Sequence, residues 1–553
     1  MSENEAVIDT LQGKLIIGID LGTTKSAVSV WDETQGRVVM LPNSSGKEWT
    51  PSLVGWDRAG SRWLVGDEAK SLFKQRPSDV VYSIKRFIGR WFTDPEVIKN
   101  YRKMTYNLVT GGGKEQLEDI VVDFGQDLSA PPRQSAPEIS ARVLKSLRQD
   151  AAAALKLPLE EVKYAVITVP AYFNVLQRKA TARAGRMAGL EVVDILNEPT
   201  AAALSYNDRL RPEEKRILVY DLGGGTFDIS LIEAQRDDDG YIFYTRIVDG
   251  DTHLGGDDID ARLVEWIKNE ILQRYQETVR GDDDIANTQL RLAAERAKVQ
   301  LGQLERVPLA VTLDLGRRAP FLAEIEITRA VLNECATEVI SRARQITERA
   351  VKQIAGLNWD DIDEVLLVGG QTLMPAIQQD VENLTGSNPH VSERPQLAIA
   401  LGAGEYAHIL SLGEEKFHQN TLINVIALPL GVRERENDFV PLVKANVAVP
   451  HTSQPYFATN PEDNQTSIRV EVLQGSRDAT RADQCVPLGA LEMAVLPRPA
   501  RSHKFEIVLD VKSDGTMKVI VTDKHSNRSE TQDIVETKTV RYAQQEAEVK
   551  NDG

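Results

Sequence analysis

One local pattern occurs twice in this chain, far apart, and few architectures accommodate it. The run Leu15-Ile16-Ile17-Gly18-Ile19-Asp20 breaks at Leu21-Gly22-Thr23-Thr24 and resumes as Ala27-Val28-Ser29-Val30. Downstream, Ile217-Leu218-Val219-Tyr220-Asp221 breaks at Leu222-Gly223-Gly224-Gly225-Thr226 and resumes as Phe227-Asp228-Ile229-Ser230-Leu231-Ile232. Each copy reads as strand, Asp-Leu-Gly, small residues, strand, because aliphatic and β-branched runs of this length fit a pleated surface. Two such hairpins predict two similar lobes facing each other across a cleft.

Up to about residue 410 short strands alternate with amphipathic helical stretches, the pattern of an α/β domain. Strands are predicted over 15–20, 165–169, 217–221 and 364–368, and helices over 140–155, 177–188, 258–276 and 329–354. Near Ser411 the composition turns polar, through Gly413-Glu414-Glu415-Lys416-Phe417-His418-Gln419-Asn420, which predicts a linker over 411–423. Beyond it the pattern is strand-like, as over 467–473, 504–511 and 517–522, with Asp514-Gly515 as a hairpin turn. The expected organisation is an α/β domain over 1–410, an all-β domain over 424–538 and a short polar tail over 539–553.

A net charge of -17 leaves no electrostatic footprint for a phosphate backbone, so no nucleic-acid partner is expected. Cys335 and Cys485 are too far apart for a ligand motif and suggest a reducing compartment. Met1-Ser2-Glu3-Asn4-Glu5 lacks the basic start of a secretory signal, and no apolar run approaches the ~18 residues that span a bilayer. The expectation is a soluble, cytoplasmic protein without a membrane partner.

The hairpin turns suit anion binding. Glycines let backbone N–H groups approach a phosphate, and threonine hydroxyls add donors. Asp20 and Asp221 end the two first strands and point toward one cleft, where they repel unless a cation lies between them; hydrated magnesium on a nucleotide fits. The following element is a strand, not a helix, so neither turn is a dinucleotide fingerprint or a Walker loop. Two ligand-free glycine-rich hairpins are the alternative. A third turn, Gly369-Gly370-Gln371-Thr372 after the strand at 364–368 and before a helix opening at Pro375, provides a place for an adenosine or its α-phosphate.

With these strings on the page the chain resembles the DnaK-type, seventy-kilodalton heat-shock chaperone family. The matching stretches are GIDLGTTKS at 18–26, SIKRFIGR at 83–90, TVPAYFN at 168–174, NEPTAAAL at 197–204 and YDLGGGTFDIS at 220–230. GDTHLGGDD at 250–258, LVGGQT at 367–372, EDNQTS at 462–467 and VLQGSR at 472–477 complete the set. The resemblance implies a duplicated actin-like, ribonuclease H-like ATPase domain, then a β-sandwich that holds extended apolar peptides of unfolded clients. It implies slow, magnesium-dependent ATP hydrolysis that controls peptide binding, with J-domain and nucleotide-exchange partners and a place in protein folding and stress response.

It also implies site residues. Gly22, Thr23, Thr24, Lys25, Gly224, Gly225 and Thr226 would hold phosphates, and Gly256, Glu295, Lys298, Gly302, Gly369, Gly370, Gln371 and Leu373 the nucleoside. Asp20 and Asp221 would orient magnesium waters, with Asp228 near an accompanying potassium ion. Lys85, Glu198, Asp221 and Thr226 would surround the γ-phosphate and attacking water, acting by positioning and charge neutralisation. Lys85 has a plainer reading as a solvated lysine beside Arg86 and Arg90, and Glu198 as a helix-opening acid before Pro199.

Departures from the family pattern carry their own expectations. Leu373 stands where the family has a base-stacking arginine, and Gly302 where it has a serine. Losing that stack and hydrogen bond predicts ATP affinity about tenfold below the family's. Among the coupling residues Pro170, Arg178, Asn197 and Thr200 match, whereas Val175, Asp194 and Asn424 do not, which predicts weakened or re-paired coupling. In the peptide site Ile468 is the pocket residue, Pro461 precedes the matching loop, and Arg435 sits in the charged loop Arg433-Glu434-Arg435-Glu436-Asn437-Asp438. That loop is either simply solvated or selects peptides with flanking charges. The chain also stops before the helical lid the family appends, which predicts fast peptide release.

Other readings stay open on these residues. An actin-like filament protein shares the ATPase fold but has no use for the β-domain. A sugar kinase needs an acceptor site with a general base. A weakly coupled regulator of one client, without general folding activity, fits the same strings.

Overall fold

The computed structural model describes residues 10–535 except 112–119, 126–128, 207–214, 237–240, 317–318, 393, 414–420, 435–436, 513–514 and 516. Most of the expected linker, the charged residues Arg435 and Glu436, the turn residue Asp514 and the tail from 536 onward lie outside the described residues.

The two hairpins seed two sheets of the same order. In the first, Glu191–Asn197, Tyr164–Val169, Ile16–Asp20, Lys25–Asp32 and Arg37–Met40 lie side by side, with Thr50–Pro51 on Lys25–Asp32. In the second the order is His390–Val391, Glu364–Val368, Lys215–Leu222, Phe227–Arg236, Tyr241–Asp251 and Thr421–Ile423. Each central strand pairs parallel on one side and closes its hairpin on the other. In register, Asp20 faces Ala27 and Asp221 faces Asp228, so only in the second hairpin does the aspartate of the first strand lie opposite another carboxylate. The α/β class and the β-sandwich read from the sequence both hold.

Helix Ala398–Ser411 crosses the first lobe, and a Cβ on Gly18 would lie 2.3 Å from the Gly404 nitrogen. This backbone contact fixes the helix over the strand that ends at Asp20. The helix read as starting at residue 140 begins at Ala136, because Ser135 and Glu138 form a capping box ahead of Pro137. The long helix after Thr328 ends as Arg329–Glu348 and closes with a π-turn over Arg349–Ile354.

Among the described residues from Val425 onward, the named elements are strands apart from the short helical turn Ala482–Gln484. A four-stranded sheet, Phe439–Val443, Leu430–Arg433, Ser467–Gln474 and Val486–Ala494, faces a second sheet. The latter is built on Lys504–Val511, Met517–Asp523 and Arg528–Val535. Alternating residues such as Val470, Val472, Leu509, Val519 and Val521 fill the space between, as period-two burial in packed sheets requires. No helix among the described residues is long and apolar enough to cross a membrane.

The β-sandwich lies against the first lobe and the strand Tyr241–Asp251. The Val175 N–H donates to Gln474 Oε1 at 3.0 Å, Val248 N–H to Asn446 Oδ1 at 3.0 Å, and Arg477 Nη2 to the Val248 carbonyl at 3.0 Å. Ala171, Val248, Val425 and Ala427 form a small apolar cluster there. Part of the expected linker is a strand: Thr421, Leu422 and Ile423 pair parallel with Ile242, Phe243 and Tyr244.

Candidate functional site

Four carboxylates converge between the lobes, on the ends of different elements. Asp20 closes its strand, Asp221 lies near the end of Lys215–Leu222, Asp228 follows the second turn, and Glu198 opens helix Glu198–Leu204. All four are buried. Lys85, on a short helical turn over Ile84–Arg86, reaches Glu198 with Nζ 2.5 Å from Oε1. The pair is 113 residues apart in sequence, and both partners are about 5% exposed, so the solvated-lysine reading does not hold.

The basic group around Lys85 is committed throughout. Arg86 pairs with Asp258 at 3.1 Å and Arg90 with Asp94 at 2.6 Å. Arg86 and Ser83, which donates to Asp257 at 2.8 Å, tie the first lobe to helix Gly256–Tyr275 of the second. Lys70 lies 3.6 Å from Glu295, and the Arg291 guanidinium lies over the Tyr82 ring. Thr23, Thr24, Lys25 and Glu295 line one narrow cavity between the lobes. The Lys25 ammonium sits 4.2 Å over the Trp49 ring.

Burial and the neighbouring Glu198 push the Asp20 and Asp228 carboxyls up to about 7, with Lys85 opposing. The same causes, with Asp228 and Asp20 added, hold Asp221 well above the usual carboxylate range. Thr168 Oγ1 donates to Asp20 at 3.4 Å and the Tyr172 N–H to Asp228 at 3.2 Å. Neither residue was singled out in the sequence, although both lie in the string TVPAYFN.

The donor set fits a magnesium nucleotide. Carboxyls whose proton affinity is raised by burial and by neighbouring charge ionise more readily when a divalent cation arrives. The turns offer unmet donors: Thr24 Oγ1 and Arg86 Nε are buried without a partner. A Cβ on Gly225 would fall 2.6 Å from Thr23 Cγ2 and 2.9 Å from Arg86 Nε, so glycine keeps this space clear. The Asp257 N–H bonds the Gly224 carbonyl at 2.7 Å, which locks the second turn to the start of helix Gly256–Tyr275.

The charge state has a testable consequence. A carboxyl whose folded-state pKa is raised stabilises the fold below the unfolded value and loses that contribution as pH rises through about 7. The melting temperature of the nucleotide-free chain is therefore expected to fall as pH rises from about 5 to about 7 and to level off above that. Adding magnesium and ADP should remove most of the slope, and Asp20→Asn should reduce it. A flat profile in thermal unfolding would contradict the burial-driven repulsion.

The residues expected at the nucleoside lie on three elements. Gly370 begins a helical turn over Gly370–Leu373 that leads into helix Pro375–Thr385, and Gly369 before it has φ +84°. Lys298 Nζ donates to Asp260 at 2.8 Å and to the Gly256 carbonyl at 3.0 Å, and Gln371 is buried beside Gly256. A Cβ on Gly302 would lie 3.8 Å from the Leu373 carbonyl oxygen. Thr226 lies at the end of its turn, where its carbonyl accepts from the Gly223 N–H at 3.1 Å.

Several residues expected to couple the two parts of the chain lie near the sandwich. Arg178 donates to Asn197 Oδ1 and to the Ala171 carbonyl. Asn424 Oδ1 accepts from Asn197 Nδ2 and Thr200 Oγ1, each at 3.3 Å. Pro170 is buried, and its carbonyl accepts from the Phe173 N–H at 3.1 Å. Asp194 accepts from Tyr406 at 2.7 Å, so its charge is engaged within the molecule. In the sandwich Ile468 belongs to the buried core, while Pro461 is exposed in the loop before its strand. The described ends of the charged loop are tied back, Arg433 to Glu471 at 2.6 Å and the Glu434 N–H to the Asp438 carbonyl at 2.9 Å.

Comparison with known proteins matches this arrangement. The family described as Hsp70 protein matches residues 16–552. The chaperone protein DnaK of Buchnera aphidicola subsp. Schizaphis graminum (strain Sg) is 37% identical over 517 residues, which span 93% of this chain and 77% of that protein. The chain belongs to the Hsp70 family. It is an ATP-dependent chaperone of the DnaK type and an ATP hydrolase that works with magnesium, client polypeptides and cochaperones.

Proposed function

We propose that hydrolysis occurs at the carboxylate cluster and reaches the peptide-binding sandwich through Asn424. The observation that carries this reading is the pair of hydrogen bonds from Asn197 and Thr200 to Asn424, because these residues flank Glu198. A change around Glu198 therefore bears directly on the segment joining the two parts of the chain.

In this reading residues 1–410 form the nucleotide-binding domain, 411–423 the linker and 424–538 the peptide-binding domain. Thr23, Thr24 and Gly224 to Thr226 hold phosphates. Bound magnesium neutralises charge on the transferring phosphoryl group. Asp20 and Asp221 accept hydrogen bonds from its waters, and Asp228 favours a nearby potassium ion. Lys85 faces the γ-phosphate, and Glu198, kept in place by Lys85, orients the attacking water. These are effects of position and charge, which supply most of the catalysis in phosphoryl transfer. A J-domain protein and a nucleotide exchange factor act as partners, and the protein works in the cytoplasm. Tyr406 is an internal hydrogen-bond donor to Asp194.

The test is release of a fluorescent peptide from the full chain with ATP and with ADP. ATP is expected to accelerate release by at least about tenfold, and Asn424→Ala to reduce that ratio to about threefold or less. Equal rates with both nucleotides in the native chain would overturn the coupling. They would leave a constitutive binder with an independent ATPase.

A further inference from the structure

The π-turn that closes the long helix of the second lobe aims one side chain at a buried charge. Such turns are rare and recur where function requires an altered helix geometry. Arg349, the first residue of the turn, reaches Asp249 on the strand Tyr241–Asp251 through a two-point contact. Its Nε donates to Oδ2 at 2.7 Å and its Nη2 to Oδ1 at 2.9 Å. Two turns earlier in the same helix, Arg342 reaches Asp251 at 3.1 Å. The strand end is thus held at two alternate residues from one helix. The Asp249 side chain is fully buried, so it cannot shift away from Arg349 without leaving its charge unpaired.

Val248, the residue before Asp249, is where the sandwich meets this strand. Its N–H donates to Asn446 and its carbonyl accepts from Arg477, both at 3.0 Å. Arg477 Nε and Asn446 Nδ2 are buried without a partner, so a displaced Val248 would leave both side chains with still less to bind. Tyr172 joins this corner to the cleft. Its N–H donates to Asp228 at 3.2 Å, while burial and the Asp249 charge push its hydroxyl up to about 12, with Arg477 and Arg349 opposing.

We propose that Arg349 is a positioning residue for docking of the sandwich: by fixing Asp249 it sets Val248 where Asn446 and Arg477 bind it. An apolar pair of similar volume commonly stabilises a core as well as a buried ion pair does. What the two-point ion pair adds is a single placement of strand against helix. That placement is what two hydrogen bonds to one peptide unit on each side of Val248 require.

The experiment is hydrogen exchange, read amide by amide, in the nucleotide-free full chain. Two amides report docking, because each has a sandwich side chain as its acceptor. They are Val248 and Val175, the latter donating to Gln474 at the first position of its helix, where no helical acceptor exists. Arg349→Met is expected to speed exchange at Val248 by about tenfold or more and to speed Val175 as well, while the central strand Lys215–Leu222 stays protected. Arg349→Lys, which keeps the charge without the planar fork, should fall between native and Met.

Equal loss of protection in the central strand and at Val248 would show that the pair merely stabilises the lobe, and would overturn the proposal. So would native protection at Val248 in Arg349→Met. Should that variant fail to fold, a double-mutant cycle of Arg349→Lys with Arg477→Gln decides. Non-additive effects on Val248 exchange support one shared contact, and additive effects overturn it. A second measurement rests on the coupling reading above. In Arg349→Met the ratio of peptide release with ATP to that with ADP should fall to about threefold or less, with single-turnover hydrolysis within about threefold of native. Exposed amides with an unchanged ratio would uphold the docking role and count against that coupling reading instead.

Discussion

Lys85→Ala is expected to slow single-turnover ATP hydrolysis by at least ~100-fold while changing ADP affinity by less than about threefold. Lys85 is the side chain on Glu198, and its charge opposes the mutual repulsion at Asp20, Asp221 and Asp228. Removing it leaves a buried carboxylate unpaired among three others. Glu198 then loses the partner that fixes its position, and a water near it loses a fixed acceptor. The phosphate turns lie on other elements and retain their donors, so binding of the diphosphate survives. A single-turnover rate within about threefold of the native chain, at unchanged thermal stability, would exclude Lys85 from the chemistry.

The second large effect is expected from Gly224→Ala. A Cβ there would fall 2.0 Å from Thr24 Oγ1, against the opposite hairpin turn. The turns must separate, and the phosphate donors they carry separate with them. Overpacking costs about 1–3 kcal/mol, and each lost hydrogen bond adds about 0.5–1.5 kcal/mol. Nucleotide affinity should therefore fall by ~100-fold. Gly223→Ala is the internal control, because its nearest contact would be an ordinary 3.7 Å to the Thr226 carbonyl. Equal losses in the two variants would show that backbone strain, not closure of the cleft, governs the effect.

The parts of this site that were legible in the sequence are local. Asp20 with its Gly-Thr-Thr turn and Asp221 with its Gly-Gly-Gly-Thr turn are contiguous, and turn chemistry is written in consecutive residues. The contacts that join them are not. Glu198 finds Lys85 over 113 residues, Asp194 finds Tyr406 over 212, and Asn424 finds Asn197 over 227. No hydrophobic period or spacing rule encodes such pairs, so Lys85 could be assigned a role only by resemblance, and Arg86 was passed over as part of a basic group. The early start of the helix at Ala136 was open to reading, since Ser135 and Glu138 stand at capping-box spacing. The linker strand was not: Thr421-Leu422-Ile423 is too short to declare a partner, and its pairing depends on the free side of Tyr241–Asp251.

That pairing also bears on self-association. With Thr421–Ile423 in place, the outer side of Tyr241–Asp251 is occupied from Ile242 to Tyr244. Were it to detach, the strand would present a row of unpaired amide and carbonyl groups, flanked by the already exposed Ile242, to any extended chain nearby. The form in which the linker is free is thus the form most open to edge-to-edge aggregation. The first extended segment that this molecule shields from a stray partner is one of its own.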